Sequence, residues 1–459
     1  MNRRVAWFLA LVVCFFAGAY ATIGLFPYWH FDSGSDLAIF DQAIWHMSRF
    51  ESPASTISGF SNILADHFYP ILGLFAPLYW IFPRPETLIV AQAALLALSI
   101  VPVFLCLRER VSVNVALALS VAYGLFWGMQ RTAAFDVHEF AFAPLAIATM
   151  LLGMLRRQWG LFWIAAAATA LIKEDLIPLV GFAGLYLAVQ GERRRGAIAM
   201  ALSLALFVIL VALVLPRIGD SAGYRYSGGY ATVLRRPWTI PVVLVTPTVK
   251  LQTMMSWLAA FAFLPLASPL ITLAIPLAIE RFLSASVNHW GVIYHYSAPF
   301  APILAVSAGD GLARVARRIS DPQIRSRVVV TLAAICVVFS AVVPGHQPLW
   351  RAFTPTSYQS TAVQHASRDV LRQIPPQASV VAQTPIASHL SQRDRIYLLA
   401  PGAPDTDFVV AQRTLGVWPL ENPAQLSAII DERRQHGYDA IIDDGGWIVL
   451  RRRMPAPAN

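Results

Sequence analysis

Carboxylates, imidazoles and cations in this chain gather at the ends of apolar segments, where such groups can exchange protons with a substrate or bind one. The first group is Asp32, Asp36 and Asp41, followed at the far end of the same loop by Asp66 and His67. Asp36 and Asp41 are five positions apart, an offset of about 140° on a helix, so they do not share one face. Joined by Asp66 and His67, either one could form an acid/base or metal site. The ordinary explanation is a hydrated loop that happens to be acidic.

Asp136, His138 and Glu139 make a second cluster, for which a helix cap is the ordinary account. Lys173-Glu174-Asp175 is more telling, because three consecutive ionisable residues between short apolar segments are expensive at depth unless paired or wet. A turn at the outer surface would also explain them, but the short flanking segments favour partial burial around a cavity. His289 and Tyr294-His295-Tyr296 complete the polar inventory, with an aromatic belt at headgroup level as the alternative for the tyrosines. For an anionic ligand, Arg131, Arg217, Arg225, Arg235, Arg236, Lys250 and Arg281 supply cations.

The elements that must position these groups are membrane helices. Of 459 residues, 57% are hydrophobic and 13% charged, against roughly 25% charged in an ordinary soluble domain. A bilayer core about 30 Å thick needs roughly 20 apolar residues per helix, and 5–26, 87–107, 197–215 and 327–343 qualify. Further spans are expected over 111–129, 140–155, 159–172, 176–190, 251–267, 269–283 and 297–309, about eleven in all, and 68–82 reads as re-entrant or interfacial. The net charge of +9 does not point to nucleic acid, because the arginines sit in short clusters between apolar segments that all fall on one side if the N-terminus is cytoplasmic. That pattern sets a cytoplasmic N-terminus, and with an odd number of crossings the C-terminus lies outside, across a bacterial inner membrane. The three cysteines all sit inside apolar runs without metal or disulfide spacing.

Residues 1–344 are thus expected to form a transmembrane helical bundle, with 27–67 as its first outer loop. Past residue 344 short strands at 379–382, 395–399, 408–411, 440–443 and 447–450 alternate with helical patterns at 363–373 and 423–436. Residues 345–459 therefore read as a small periplasmic α/β domain.

The stretches Asp36-Leu37-Ala38-Ile39-Phe40-Asp41-Gln42-Ala43-Ile44-Trp45, Asp66-His67-Phe68-Tyr69-Pro70, Phe135-Asp136-Val137-His138, Lys173-Glu174-Asp175 and Tyr294-His295-Tyr296 together resemble a bacterial membrane-protein family of unknown function. That family is in turn similar to the GT-C glycosyltransferases, relatives of protein mannosyltransferases and aminoarabinose transferases that draw sugars from polyprenyl-phosphate donors. The resemblance implies a GT-C-like bundle and sugar transfer to a glycan or lipid acceptor, with a divalent metal optional. It matches Asp36 to the superfamily's catalytic carboxylate after the first span, with Asp41 in reserve, and Asp66-His67 with Pro70 to its later His-Pro motif. The spacing departs from the usual His-Pro-Pro, and the two acidic residues are not adjacent. Arg131, Lys173 or His295 would serve the phosphate, and Asp136, His138, Glu174, Asp175, His289 and Tyr294 would line the substrate site. A transporter or flippase would also place charges and broken helices beside a cavity, and a non-catalytic scaffold would use the soluble domain to hold a partner.

Overall fold

A computed structural model describes residues 2–219, 224–226, 230, 233, 235–345 and 347–453. The chain forms two compact units, one from Met1–Ile23, Leu64–Leu72 and Val90–Ala352, the other from Gly24–Ile63, Gly73–Ile89 and Phe353–Asn459.

The first unit is helical. Among the described residues of the whole chain, four helices are long and apolar enough to cross a membrane: Arg3–Trp29, Pro85–Leu107, Arg193–Ile218 and Pro322–Val342. A fifth, Val113–Leu125 with Trp127–Ala134, bends by 42° at Phe126, so the expected 111–129 span is broken. The stretches expected as spans over 251–267 and 269–283 are divided, and proline is the physical reason. Around Pro265, Pro269 and Pro276 the chain uses 3₁₀ turns at Leu264–Ala267 and Pro269–Ala274 before helix Ile275–Leu283. The segment read as re-entrant is an 11-residue 3₁₀ helix, Pro70–Trp80.

Helices Ile177–Val189 and Arg193–Ile209 form a hairpin through Gly191, whose φ of +95° suits glycine. A Cβ on Gly184 would meet the Gly196 carbonyl oxygen at 2.7 Å, and one on Gly196 would meet that of Gly184 at 2.4 Å. Two glycines facing each other let these backbones touch, the small-residue packing that holds helices together in lipid.

The second unit carries a five-stranded sheet in the order β2-β1-β3-β5-β4. Its strands are β1 Val380–Ala382, β2 Ile396–Leu398, β3 Phe408–Gln412, β4 Tyr438–Asp444 and β5 Trp447–Arg452. β1 runs parallel to β2 and β3, while β5 is antiparallel to β3 and β4. Every residue of β1 and β3 is buried, as expected for strands covered on both faces. Gly445 and Gly446, both at positive φ, make the tight β4–β5 turn. One face packs Val380, Val410 and Val449 with Phe31 and Ala38, beside helix Ala362–Leu371. The other packs Val381, Val409 and Leu450 against Leu426 and Ile430 of helix Pro423–Gln435. The edge strand β2 is closed by Thr56, whose hydroxyl donates to the Ile396 carbonyl at 2.6 Å and accepts from its N–H at 3.0 Å.

Candidate active site

Three of the polar motifs share one local design in the first unit. His138, Lys173 and Tyr294 each adopt an extended conformation, and the next residue opens a 3₁₀ turn: Glu139–Phe142, Glu174–Leu176 and His295–Ser297. A proline follows four or five positions after the turn opens, and a helix begins there: Pro144, Pro178 and Pro299. Each polar residue is thereby fixed at a helix entrance, where the exposed N–H groups favour negative charge.

The motifs converge. Lys173, 5% exposed, sits 3.5 Å from Glu139 and 3.5 Å from Asp175, with its ammonium 5.3 Å from the Phe140 ring centroid. His138 shares a 2.7 Å hydrogen bond with Glu139 and stacks on His295 at 3.8 Å between ring centroids. Tyr296 joins His289 to His295, with ring centroids 4.1 and 4.2 Å away. On the other side of Lys173, Glu174 accepts from the Phe68 N–H at 2.8 Å and from the Tyr224 hydroxyl at 2.9 Å, and pairs with His67 Nδ1 at 2.6 Å. Tyr226 lies flat on His67, ring centroids 4.4 Å apart, and donates to Asp66 at 2.5 Å, while Arg225 approaches Asp66 at 3.8 Å.

Burial alone would push the Lys173 ammonium towards neutrality, but Glu139, Asp175 and Glu174 more than offset it and raise its pKa. Glu174 shows the same contest among carboxylates: burial works to raise it, and His67 with Lys173 and the Phe68 N–H hold it below the usual range. Asp175 goes the other way, raised by burial despite Lys173. Burial, with His138 next, drives His295 well below the ordinary imidazole value, so at neutral pH it is uncharged, one nitrogen a donor and the other an acceptor. Neither nitrogen has a hydrogen-bond partner among the described residues, although His295 is 2% exposed. An orphaned buried imidazole is rare and calls for a reason.

Asp136 is buried and Arg131 half-buried, while Tyr294 meets Phe135 edge-on at 5.4 Å. A cation is a poor fit here. His67, Glu174 and Asp175 each present a ligand atom, all within 4.8 Å of one another, yet Glu174 is engaged by His67, Phe68 and Tyr224, and the Lys173 ammonium stands beside Asp175.

A family model described as predicted membrane protein (DUF2079) matches residues 28–449. The chain belongs to this family. No curated protein matches it. Among solved structures, ArnT from Cupriavidus metallidurans bound to undecaprenyl phosphate aligns with a TM-score of 0.55 at 12% identity, covering 96% of this chain and 98% of that one. The apo state of the same protein gives 0.53 at 13% identity, covering 96% and 97%. The oligosaccharyltransferase AglB from Archaeoglobus fulgidus, in complex with an inhibitory peptide and a dolichol-phosphate, gives 0.45 at 12%, covering 99% and 75%. At such identities the likeness is one of fold, and the DUF2079 chain has a mostly helical, GT-C-like architecture with a small C-terminal sheet.

Of the first-loop carboxylates, Asp66 belongs to the first unit, whereas Asp36 and Asp41 lie in the second, on helix Ser35–Ser48. Asp36 is half-buried in its first turn, and Asp32 is exposed ahead of it. Asp41 is wholly buried: Ser391 donates to it at 2.5 Å, Gln392 at 3.2 Å, and the Tyr79 hydroxyl also donates. That setting suits a structural carboxylate. Sequence reasoning misses Tyr79, Ser391 and Gln392 altogether, since nothing local marks them as partners of Asp41. Nor does it reach the contacts of Tyr224 to Glu174 and of Tyr226 to Asp66.

Burial raises Asp41 from the ordinary value to about 6, against the lowering effect of Ser391, Tyr79 and Gln392. A raised carboxyl favours the folded state while protonated, so this contribution is complete below about pH 4 and is lost as pH rises through about 6. Over that window the fold should lose up to about 3 kcal/mol from Asp41. Asp41→Asn, neutral throughout, should flatten the pH dependence between 4 and 6 in thermal melts. Melts as steep in the variant as in the wild type would assign the dependence elsewhere.

Proposed function

We propose that the protein is a membrane glycosyltransferase that moves a sugar from a polyprenyl-phosphate donor to a glycan or lipid acceptor on the outer face of a bacterial inner membrane. In this reading the bundle crosses the membrane about eleven times, the N-terminus is cytoplasmic and residues 345–459 lie in the periplasm. The observation that carries it is the buried, unpartnered His295 imidazole beside the paired Lys173 cluster, on a GT-C-like fold. Undecaprenyl phosphate on the ArnT neighbour supports a polyprenyl phosphate as the donor's lipid.

Asp36 takes the proton of the acceptor hydroxyl as its oxygen attacks the anomeric carbon. The bond from that carbon to the phosphate oxygen breaks, and the polyprenyl phosphate leaves with the electron pair. His295, uncharged, hydrogen-bonds the donor's phosphate or sugar, and Lys173 and Arg131 offset the charge developing on the leaving phosphate. Asp66 and His67, with His138, Glu174 and Asp175, hold Lys173 and His295 in place, and Asp136, His289 and Tyr294 complete the substrate site. No step requires a metal.

The test is an assay of purified full-length protein in lipid, given polyprenyl-phosphate sugars and glycan-bearing membrane extracts, scored for released polyprenyl phosphate. His295→Phe keeps the stacking on His138 and removes both nitrogens, so polyprenyl-phosphate binding should weaken about tenfold. If the wild type binds no polyprenyl phosphate and instead moves a solute across vesicles, the transporter reading replaces this one.

A further inference from the structure

The second unit contains a cavity of about 630 Å³, large enough for a small ligand. Arg84, Arg368, Arg372 and Arg393 line it, against the single carboxylate Glu86. Arg368 and Arg372 lie four apart at the end of helix Ala362–Leu371, a spacing at which like charges repel. Among the described residues, Arg84, Arg368 and Arg372 form no ion pair, and each is exposed. Arg393 differs in being 6% exposed. Among the described residues its guanidinium donates only to carbonyls, those of Leu390 at 2.6 Å, Ala378 at 2.8 Å and Pro375 at 3.3 Å, and this buried positive charge has no counter-ion. Ser388, fully buried on the same wall, has a hydroxyl with no partner. Four cations and an unsatisfied hydroxyl around one cavity suit an anion with several oxygens, and planar guanidinium groups match phosphate.

The cavity's place along the chain narrows the source. Tyr28 on its wall belongs to the last turn of the candidate span Arg3–Trp29, and Pro85 opens the candidate span Pro85–Leu107. Trp80, Ile81 and Phe82, more than 60% exposed, directly precede Pro83-Arg84, the aromatic and apolar anchoring seen where a chain meets the headgroups. The helix start at Pro85 adds N–H groups that favour an anion.

We propose that this arginine-lined cavity binds a phosphate group carried by a membrane-lipid headgroup. The assignment is independent of the glycosyltransferase reading, since none of these residues belongs to the Lys173 cluster. It is tested on the full-length protein in detergent with two probes, phosphatidylglycerol followed by native mass spectrometry and inorganic phosphate followed by equilibrium dialysis. The variants are Arg368→Gln with Arg372→Gln, and separately Arg84→Gln, all at exposed side chains, so that one still reports if the other fails to fold. Phosphatidylglycerol binding should weaken tenfold or more in both, at unchanged melting temperature. Loss of phosphatidylglycerol without measurable inorganic phosphate binding marks the lipid headgroup as the ligand. Binding of inorganic phosphate alone, lost in the variants, would reassign the cavity to a soluble phosphate compound and overturn the lipid assignment. Lipid binding equal to wild type in both variants would overturn the site.

Discussion

Lys173→Met should destabilise the protein by about 3–5 kcal/mol, the largest stability effect expected of any single substitution in the polar cluster. The ammonium stands 3.5 Å from Glu139, which is 0% exposed, and 3.5 Å from Asp175. Methionine fills the same space but leaves both carboxylates without the charge that compensates their burial, and an unpaired buried charge costs far more than the pair is worth. The companion variant separates these effects. Lys173→Met with Glu139→Gln removes one charge of each sign, so it should recover a substantial part of the loss, and the double-mutant cycle gives the coupling directly. Denaturant titration of the full chain in detergent measures it. Because the Lys173 pKa is raised, its contribution is complete below the ordinary lysine value and is lost only as pH rises through the higher folded value, so it is intact at neutral pH. A loss below about 1 kcal/mol would mean that water reaches these carboxylates and that the cluster is a surface turn.

Asp36→Asn should lower the rate of sugar transfer about 10²-fold or more while leaving the fold intact. Asparagine keeps the size and most hydrogen bonds of aspartate and removes only the basic oxygen. Asp36 is half-buried in the first turn of helix Ser35–Ser48, so the cost to that helix is limited to a favourable charge near its N-terminus, about 0.3–1 kcal/mol. Asp32→Asn, at an exposed position before the helix, should change the rate little. The readout is polyprenyl phosphate released per minute by variants of matched melting temperature. Full turnover in Asp36→Asn would place the base on another residue.

Local signals carried a good part of this architecture. Short apolar runs marked the strands of the sheet, because strand patterns act over a few residues. The 140° offset between Asp36 and Asp41 also has its counterpart, one carboxylate half-buried and the other inside. What hydropathy could not deliver was the length of the spans, since prolines divide apolar stretches into 3₁₀ turns without lowering their hydropathy. Nor could it foresee that Asp41 is held by Tyr79, 38 positions away, and by Ser391, 350 positions away. The orphaned state of His295 is a property of its surroundings in three dimensions, and Tyr294-His295-Tyr296 alone reads as an interfacial belt.

The bond between Asp41 and Ser391 also sets a timetable for the ribosome. Helix Ser35–Ser48 is made early, yet Ser391 and the sheet residues that pack with Ala38 are made some 350 residues later. At about 5–20 residues per second, that is a wait of roughly 20–70 s, during which the helix lacks the cover that Ser391 and the sheet supply. A nascent chain stopped before residue 380 therefore has helix Ser35–Ser48 complete but lacks Ser391 and the sheet that packs with Ala38.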